Sequence, residues 1–394
     1  MSLTGVKVGN RADEYVLLSL TTKGIIVRDL ESGKGKFPKD FDTYQFVRKG
    51  ELVFCLFDID ETPRTVGLVD TEGMLTGAYT ALKVNTEIAL PEYIYNYYLC
   101  VDNIKALKPY YSGLRKTVRA DKFLQIYIAL PPLSEQEQIV RYLEDKTSKI
   151  DAYVSEKEKE ILLLQELKQK TIADAVTKGL NPDVKTKDSG ISWIGEIPEH
   201  WEVKQLRSFL TLFTEKGHGD AQLLSVTREQ GVIERDKDDK DENHNFVPDD
   251  LSGYKYIEKG DFAINKMKAW QGSYAVSNYD GIVSPAYFTC KLKGVNKDFF
   301  SKAIRSRAYV PFFTQYSKGI RVGQWDLNPN ALKSIPFFIP PADEQRAIVS
   351  YIEEKCQKID SLTTELQSEI DYLKEYKQRL IADCVTGQVN VQNH

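Results

Sequence analysis

The sequence predicts an α+β protein in which two globular domains are separated by two long antiparallel coiled-coil helices, arranged as a pseudo-twofold internal repeat. Three observations support this prediction. Residues 130–181 and 339–390 align without a gap and share about 25 identical positions. Each copy has an apolar residue at about every seventh position. The segments outside the copies alternate apolar and polar residues between turn signals, as short strands do.

The repeat divides the chain into four parts. We expect a first globular domain over residues 1–130, a first spacer helix over 131–180, a second globular domain over 181–339, and a second spacer helix with a C-terminal tail over 340–394. A Pro-Pro pair stands before each helix and stops any earlier one, while Gly179 and Gly387 lie where each helix should end. The helices are therefore bounded on both sides by residues that break helices.

The seven-residue spacing predicts that the two helices pack along one apolar seam. The seam residues are Leu143, Ile150, Ile161 and Leu164 in the first helix, and Ile352, Ile359, Leu366, Leu373 and Leu380 in the second. Two unrelated surface helices of a larger bundle are the alternative. Seams of equal length and register favour two helices that pack against each other.

The two globular domains, called heads below, also repeat. "LLSLTTKGIIVRD" at 17–29 matches "LLSVTREQGVIERD" at 223–236, and "YQFVRKGELV" at 44–53 matches "YKYIEKGDFA" at 254–263. A helical region follows in each head, over 92–108 and 297–311. The connections between the matching pieces do not match. One strand frame is thus duplicated, and its loops are individual.

The composition carries no catalytic or metal-binding signature. The net charge is −4, yet the helices hold the acidic excess and the heads are slightly basic, which permits DNA binding without demonstrating it. The five cysteines never show CxxC spacing, which is typical of a protein of the reducing cytoplasm. The chain has neither a phosphate-binding GxxxxGK[ST] loop nor the acidic Pro-Pro-aromatic loop of an adenine methyltransferase. We expect no catalytic residue and no metal site.

Three motifs give the chain a resemblance to a known family. They are the twice-used Pro-Pro-x-x-Glu-Gln, the closing Ile-Ala-Asp-x-Val-Thr of each helix, and "GEIPEHWEVKQL" at 195–206. With these motifs the chain resembles the specificity subunit of Type I restriction–modification enzymes over nearly its whole length. One departure is that the first head has no counterpart of "WEVKQL".

The resemblance implies a cytoplasmic, non-catalytic DNA-recognition subunit. Each head would read one half of a split site on double-stranded DNA, and the helices would set the gap and dock two methyltransferase subunits. Motor-nuclease subunits would join through the complex. This chain would bind no cofactor, whereas its partners would use S-adenosylmethionine, ATP and Mg²⁺.

Candidate DNA contacts are the basic and amide side chains of matched loops, since such groups bind phosphates and base edges. "YYSGLRKTVR" at 110–119 and "YSKGIRVGQW" at 316–325 share a Gly-apolar-Arg turn, and a second pair of loops lies at 55–64 and 264–272. The candidates are Arg28, Arg64, Arg115, Lys116, Arg119, Arg235, Lys266, Lys268, Gln271, Arg321 and Gln324. Exposed turn residues that only keep the loops soluble are the competing interpretation, as is a buried Trp270.

Two other function classes compete with DNA reading. A coiled-coil adaptor that only assembles proteins would show no salt-dependent DNA binding. A self-sufficient nuclease would need a metal-binding constellation, for which Asp183, Glu202 and Lys204 offer only a short pattern that is frequent by chance. The start of a head explains that pattern better.

Overall fold

The computed structural model describes residues 1–28, 41, 43–236, 247–319 and 325–391. The predicted contacts Arg321 and Gln324 lie outside these residues. Within the described ranges, no helix is both long and apolar enough to cross a membrane.

Contacts divide the chain into two compact units. The first unit comprises Met1–Glu158 with Leu366–His394, and the second comprises Lys159–Glu365. Both long helices continue from one unit into the other. Each unit therefore contains one head and one half of each long helix.

The head of the first unit is built from short antiparallel strands. They are β1 (Ser2–Leu3), β2 (Val6–Lys7), β3 (Leu18–Thr21), β4 (Gly24–Val27), β5 (Tyr44–Val47), β6 (Leu52–Phe54), β7 (Val66–Leu68), β8 (Gly73–Thr76) and β9 (Thr80–Lys83). They form a sheet in the order β1-β9-β6-β7, a second in the order β2-β5-β8, and the hairpin β3-β4. The helices are α1 (Pro91–Asn103), α2 (Ala120–Phe123) and α3 (Leu133–Lys178), the last shared with the second unit.

Aromatic side chains hold α1 against the first sheet. Tyr98 of α1 lies with its ring centroid 5.0 Å from that of Phe54 on β6 and 5.1 Å from that of Phe123 on α2. All three are buried. Large rings at these separations add to the area that the core buries.

The head of the second unit repeats this frame and adds to it. Its strands are β10 (Thr186–Asp188), β11 (Glu196–Pro198), β12 (Glu202–Gln205), β13 (Leu210–Phe213), β14 (Leu224–Thr227), β15 (Gly231–Glu234), β16 (Lys255–Ile257), β17 (Phe262–Ile264), β18 (Tyr274–Val276), β19 (Gly281–Val283), β20 (Phe288–Leu292), β21 (Ser317–Lys318), β22 (Asp326–Leu327) and β23 (Pro336–Ile339). The order β13-β20-β17-β18 matches β1-β9-β6-β7, and the hairpin β14-β15 matches β3-β4. The duplicated frame is confirmed.

The helices of the second unit are α4 (Lys297–Arg305), α5 (Val310–Tyr316), α6 (Pro329–Ser334) and α7 (Ala342–Val385), the last shared with the first unit. The helical region predicted over 297–311 is interrupted, because Ser306 has an extended backbone and Pro311 stands at the start of α5.

The two long helices pack antiparallel in both units. In the first unit Lys377 Nζ of α7 lies 2.6 Å from Asp151 Oδ1 of α3, and in the second unit Lys168 Nζ of α3 lies 2.6 Å from Asp360 Oδ1 of α7. The two ion pairs occupy duplicated positions, so each lysine that interrupts the apolar seam reaches an aspartate of the other helix. Such half-exposed pairs contribute little stability, and we expect them to fix register.

All nine predicted seam residues face inward. Leu143, Ile150, Ile352, Ile359, Leu366 and Leu380 are buried, while Ile161, Leu164 and Leu373 are half-buried. Gly179 and Gly387 both have φ of +74° and follow the helix ends. The predicted coiled coil is therefore confirmed, together with its stops.

The repeated Pro-Pro-x-x-Glu-Gln motif anchors each long helix to its head through the glutamine. Gln136 accepts a hydrogen bond from the Leu90 backbone N–H at 2.8 Å and donates to the carbonyls of Ile88 and Pro131. Gln345 does the same in the other copy, accepting from Asn296 N–H at 3.0 Å and donating to Pro340. Both side chains are buried, and each satisfies a backbone N–H at the start of a head helix.

Candidate nucleic-acid interface

Two strand connections occupy equivalent places in the two heads. One joins β6 to β7 over residues 55–65, and the other joins β17 to β18 over residues 265–273. β6 and β17 are each the third strand of the corresponding sheet and pair with the strand that follows. The loops predicted from sequence thus leave the same point of a common frame.

In the first head this connection is tied to the hairpin over 110–119. The Asp58 backbone N–H donates to the Arg115 carbonyl at 2.9 Å, and Lys116 Nζ lies 3.3 Å from Asp60 Oδ2 and 3.4 Å from Glu61 Oε1. Hydrogen bonds to Asp60 and Glu61 raise the pKa of Lys116. The charge of Lys116 is therefore compensated by its own head.

The tip of the same hairpin presents Arg115 to solvent. Ser112 and Thr117 form a bridge across it, Gly113 has φ of +75°, and Leu114 is fully exposed. Arg115 makes no ion pair in the part of the chain that the structure describes. Arg119, also exposed, has its Nε 3.0 Å from Asp121 Oδ1. Of the three predicted cations here, Arg115 is the one available to a phosphate or a base.

Arg64 lies at the end of the first connection and is half-buried. Its Nε and Nη1 are buried and have no hydrogen-bond acceptor among the described residues. Burial raises the pKa of the neighbouring Tyr95, and the positive charge of Arg64 opposes that rise. Burying guanidinium N–H groups without acceptors costs folding free energy. Nε and Nη1 of Arg64 are therefore available to donate hydrogen bonds to an anion or a carbonyl.

The second connection carries exposed basic and amide groups. Lys268 and Gln271 are exposed, and Lys268 makes no ion pair within the described ranges. Lys266 is held 3.3 Å from Asp326 Oδ2. The ring of Trp270 packs 5.0 Å from that of Trp325, and its Nε1 is buried without an acceptor in the described chain. Trp270 thus supports the loop while Lys268 and Gln271 face solvent.

A cavity of about 680 Å³ in the second unit opens beside this connection. From the head it is lined by Arg228, Glu229, Gln271, Gly272, Tyr274, Arg305, Arg307 and Val310, and from the helix pair by Gln165, Lys168, Gln169, Ile359, Asp360 and Thr363. Four cations face two carboxylates there. The cavity is a net basic recess next to the predicted contact Gln271.

Arg305 is the structural centre of that recess. Its Nη2 donates to the carbonyls of Arg228 at 3.0 Å and Glu229 at 2.8 Å, which fixes the β14–β15 turn. Burial lowers the pKa of Arg305, an effect that Tyr274 and Glu229 oppose. The hydroxyl of Tyr274 is buried with no hydrogen-bond partner among the described residues. The recess therefore offers both positive charge and an unused hydroxyl.

Arg28 and Arg235 occupy matched positions, as predicted. The Arg28 backbone N–H donates to the Leu17 carbonyl at 2.8 Å, and that of Arg235 donates to the Leu223 carbonyl at 2.8 Å. Both side chains are half-buried. Burial raises the pKa of Tyr287, and the nearby charge of Arg235 partly opposes this.

Sequence reasoning missed Arg228, Arg305 and Arg307. The signal for Arg305 and Arg307 was the Arg-Ser-Arg run at the end of a predicted helical region, and Arg228 stands in the turn between two matched strands.

No group of three or more potential metal ligands occurs within the described ranges. Glu202 and Lys204, part of the nuclease-like pattern, pair with each other on β12.

Comparisons with known proteins agree with this architecture. Residues 60–163 match the model of the Type I restriction modification DNA specificity domain. The chain is similar to the Type I restriction enzyme MjaVIII specificity subunit of Methanocaldococcus jannaschii, with 26% identity over 291 residues, 69% of this chain and 64% of that protein. It is also similar to the EcoKI specificity subunit of Escherichia coli K12, with 22% identity over 294 residues, 70% of this chain and 60% of that protein. These alignments thus span less than two thirds of either relative.

Two solved structures share the fold over nearly their whole length. One, from work on complex assembly and conformational transition of the type I R-M system, has a TM-score of 0.65 and covers 98% of this chain and 95% of its own. The HsdS subunit of Thermoanaerobacter tengcongensis has a TM-score of 0.51 and covers 99% and 95%. Identity is 14% in both cases, so the likeness concerns the fold.

Duplicated heads on two long antiparallel helices define a class of two-headed α+β scaffold. Residues 60–163 of this scaffold match the DNA specificity domain of Type I restriction–modification systems, and about 70% of the chain is similar to Type I specificity subunits.

Proposed function

We propose that this chain is the non-catalytic DNA-recognition subunit of a Type I restriction–modification complex and that each head reads one half of a bipartite, asymmetric site. The supporting observation is that one strand frame occurs twice with dissimilar side chains on the equivalent connections, 55–65 and 265–273. Two copies of a frame with the same loops would read a symmetric site. Two with different loops read different half-sites.

The candidate contacts fit reading in the major groove. Arginine and lysine bind either a phosphate or the two acceptors of guanine, and glutamine pairs with adenine, so Arg115, Lys268 and Gln271 have the required chemistry. Cations at the rim of the basic recess, such as Arg307, would contact phosphates and set orientation. Cleavage and methylation would come from partner subunits that use S-adenosylmethionine, ATP and Mg²⁺.

The helix pair would set the gap between the half-sites. α3 has 46 residues and α7 has 44, and the predicted seam residues of both helices are buried or half-buried. At about 1.5 Å per residue a helix of this length reaches roughly 65–70 Å, or two turns of B-form DNA. Because a packed helix pair resists bending, its length would be transmitted to the DNA as a fixed number of unread base pairs.

A matched insertion tests this role. Adding seven residues between Glu158 and Lys159 together with seven between Glu369 and Ile370 keeps the seam in phase, since the repeat is seven residues long. The added length of about 10 Å corresponds to roughly three base pairs of gap. Sequencing of methylated sites in cells that carry the complex should show unchanged half-sites with the longer gap. The original gap, or altered half-sites, would contradict the proposal.

The surface for methyltransferase subunits would be the side of the helix pair that bears exposed apolar residues. These are Tyr153, Tyr372 and Tyr376 in the first unit and Leu362, Leu163 and Leu167 in the second, at the same positions of the repeat. Tyr153 precedes the buried Val154, and Tyr376 precedes Lys377, the lysine that interrupts the seam of α7. Positions preceding the seam on antiparallel helices meet on one side, opposite the side that bears the Lys–Asp pairs.

Two equivalent apolar patches predict two partner copies per chain. Tyr153→Lys with Tyr376→Lys should remove one methyltransferase copy, and Leu167→Lys with Leu362→Lys the other, because a buried lysine at an interface is costly. Native mass spectrometry of the complex counts the copies. Ser155→Lys, exposed on the outer surface of the same helix, is the control. A complex with one copy before any substitution would exclude the two-patch arrangement.

A further inference from the structure

The basic recess in the second unit holds two positive charges that its own carboxylates do not balance. Each carboxylate of the lining is already paired with a cation of the same lining, in the pairs Lys168 Nζ–Asp360 Oδ1 at 2.6 Å and Arg228 Nε–Glu229 Oε1 at 3.4 Å. Arg305 and Arg307 make no ion pair among the described residues. The recess therefore attracts an anion.

Both of these arginines have N–H groups to donate. Nη2 of Arg305 is bonded to the carbonyls of the 228–229 turn, whereas its Nε and Nη1 have no acceptor in the part of the chain that the structure describes. The side chain of Arg307 is exposed and makes no hydrogen bond within the same ranges. A guanidinium with free N–H groups binds a phosphate through paired hydrogen bonds. The head side of the recess thus suits a phosphate group.

The helix side of the recess offers neutral polar groups instead. Gln165 and Gln169 of α3 are exposed, and their side-chain amides make no hydrogen bond among the described residues. An amide both donates and accepts, so it can bind sugar hydroxyls and the edge of a base. The volume of about 680 Å³ lies within the range of about 300–1,000 Å³ that is typical of small-molecule sites.

In the first head a side chain occupies the position that opens the recess in the second. Val66 is the first residue of β7 and Tyr274 the first of β18, so Arg64 stands where the second head has Gly272. Nε and Nη1 of Arg64 are buried, whereas Gly272 lines the recess. The first head thus places its own guanidinium here, and the second head leaves space.

The surroundings of Arg64 support this equivalence. Burial raises the pKa of Tyr95, the charge of Arg64 opposes that rise, and the charge of Asp151 adds to it. Asp151 is the counterpart of Asp360, which lines the recess. Arg64 therefore lies near the same position of the helix pair as the recess does in the second unit.

We propose that the recess binds a nucleoside phosphate, whose phosphate groups contact Arg305 and Arg307 and whose sugar and base face the glutamine amides of α3. A simple inorganic anion would leave the amides unused, and an uncharged nucleoside would leave the two arginines unbalanced. A DNA duplex, whose major groove alone is about 12 Å wide, is too broad to enter, so a backbone phosphate would reach the rim at Arg307 and not the half-buried Arg305. The inference goes beyond DNA reading and does not require it.

Calorimetric titration of the full chain with ADP and with GDP, in the absence of DNA, tests the site. We expect saturable binding of one nucleotide per chain. Adenosine should bind about tenfold or more weakly than ADP because it lacks the groups that the arginines bind, and pyrophosphate should do so because it lacks the sugar and base. Failure of both nucleotides to bind, or equal affinity of ADP and either fragment, would overturn the proposal.

A substitution that blocks the recess without changing charge locates the site. Gln169→Trp places a large side chain in the recess and should abolish nucleotide binding. Gln378→Trp is the matched control, because Gln378 is the exposed residue at the same position of the repeat in the first unit, and it should retain binding. Equal effects of the two substitutions would contradict the assignment.

A second pair of variants separates a specific contact from general attraction of anions. Arg307→Gln should weaken ADP binding by about tenfold, or about 1.4 kcal/mol. Arg207→Gln removes an exposed arginine of the same head outside the recess and should leave the affinity unchanged. An equal loss for both would mean that nucleotides bind only through overall charge. Complete displacement of ADP by duplex DNA would mean that backbone phosphates occupy the recess, and would also overturn the proposal.

Discussion

In the first head the β6–β7 connection supplies Asp60 and Glu61, which hold Lys116, whereas in the second head the β17–β18 connection supplies Lys268 and Gln271, which are exposed. The strands that carry both connections pair in the same order. The frame therefore determines where a loop stands, and the loop sequence determines what it offers to a ligand. A duplicated protein can change one reading surface without disturbing the other.

The contacts between each head and the long helices are of two kinds. Some have an equivalent in both units, and others belong to one unit. Gln136 and Gln345 make equivalent hydrogen bonds in both copies. Trp201 is buried in the junction of the second unit, where its Nε1–H donates to Glu344 Oε1. Substitutions at these positions separate contacts that belong to the frame from those that belong to one unit.

The largest effect is expected for Trp201→Ala. Loss of a buried tryptophan costs about 3–5 kcal/mol through lost burial and the cavity that remains. Hydrogen exchange should show lower protection in the second unit, at residues 336–352, and unchanged protection at 127–143. Trp193→Ala, which removes a half-exposed indole bonded to the Ala308 carbonyl, is the matched control and should cost far less. Equal loss of protection in both units would mean that the two junctions are not independent.

Gln136→Leu and Gln345→Leu should each cost about 1–3 kcal/mol, because the Leu90 or Asn296 N–H and buried carbonyls lose their partners. The two costs should be similar, since the anchors are equivalent. Hydrogen exchange at the first turn of α1 and of α4 reports each anchor separately. Gln138→Leu, at an exposed position of α3, should leave both unchanged. A large effect in one copy alone would contradict the shared anchor.

The sequence predicted the long helices, their seam and the duplicated strands, because these depend on spacing within one segment. It did not predict that Lys168 and Lys377 pair with Asp360 and Asp151. Those pairs depend on which residues face each other across the helices, and periodicity does not specify that.

The candidate contacts were predicted less completely for the same reason. Lys116 stood out as a basic loop residue, but its partners Asp60 and Glu61 lie in another loop that only the folded head brings close. Arg305 forms the basic recess with the turn over 228–229. Both arrangements come from tertiary contacts between distant segments, which leave no local pattern.

The smallest effects concern individual cations, and they test the contrast between the heads most directly. Lys268→Ala and Arg115→Ala should each weaken DNA binding by the complex with its methyltransferase by about tenfold, or about 1.4 kcal/mol. Each should also reduce the slope of log affinity against log salt by about 0.9, because one fewer phosphate contact releases one fewer counterion. Titrations at several salt concentrations measure both quantities.

Lys116→Ala and Lys266→Ala are the matched controls, since each of these lysines is already paired with carboxylates of its own head. Their removal should leave the salt slope unchanged, because a cation neutralised within the protein displaces no counterion from DNA. A fall in slope for Lys116→Ala equal to that for Lys268→Ala would mean that the acidic connection releases its lysine when DNA binds. The two heads would then differ in the ion pairs that their lysines make without DNA, and not in the positive charge that they place on the duplex.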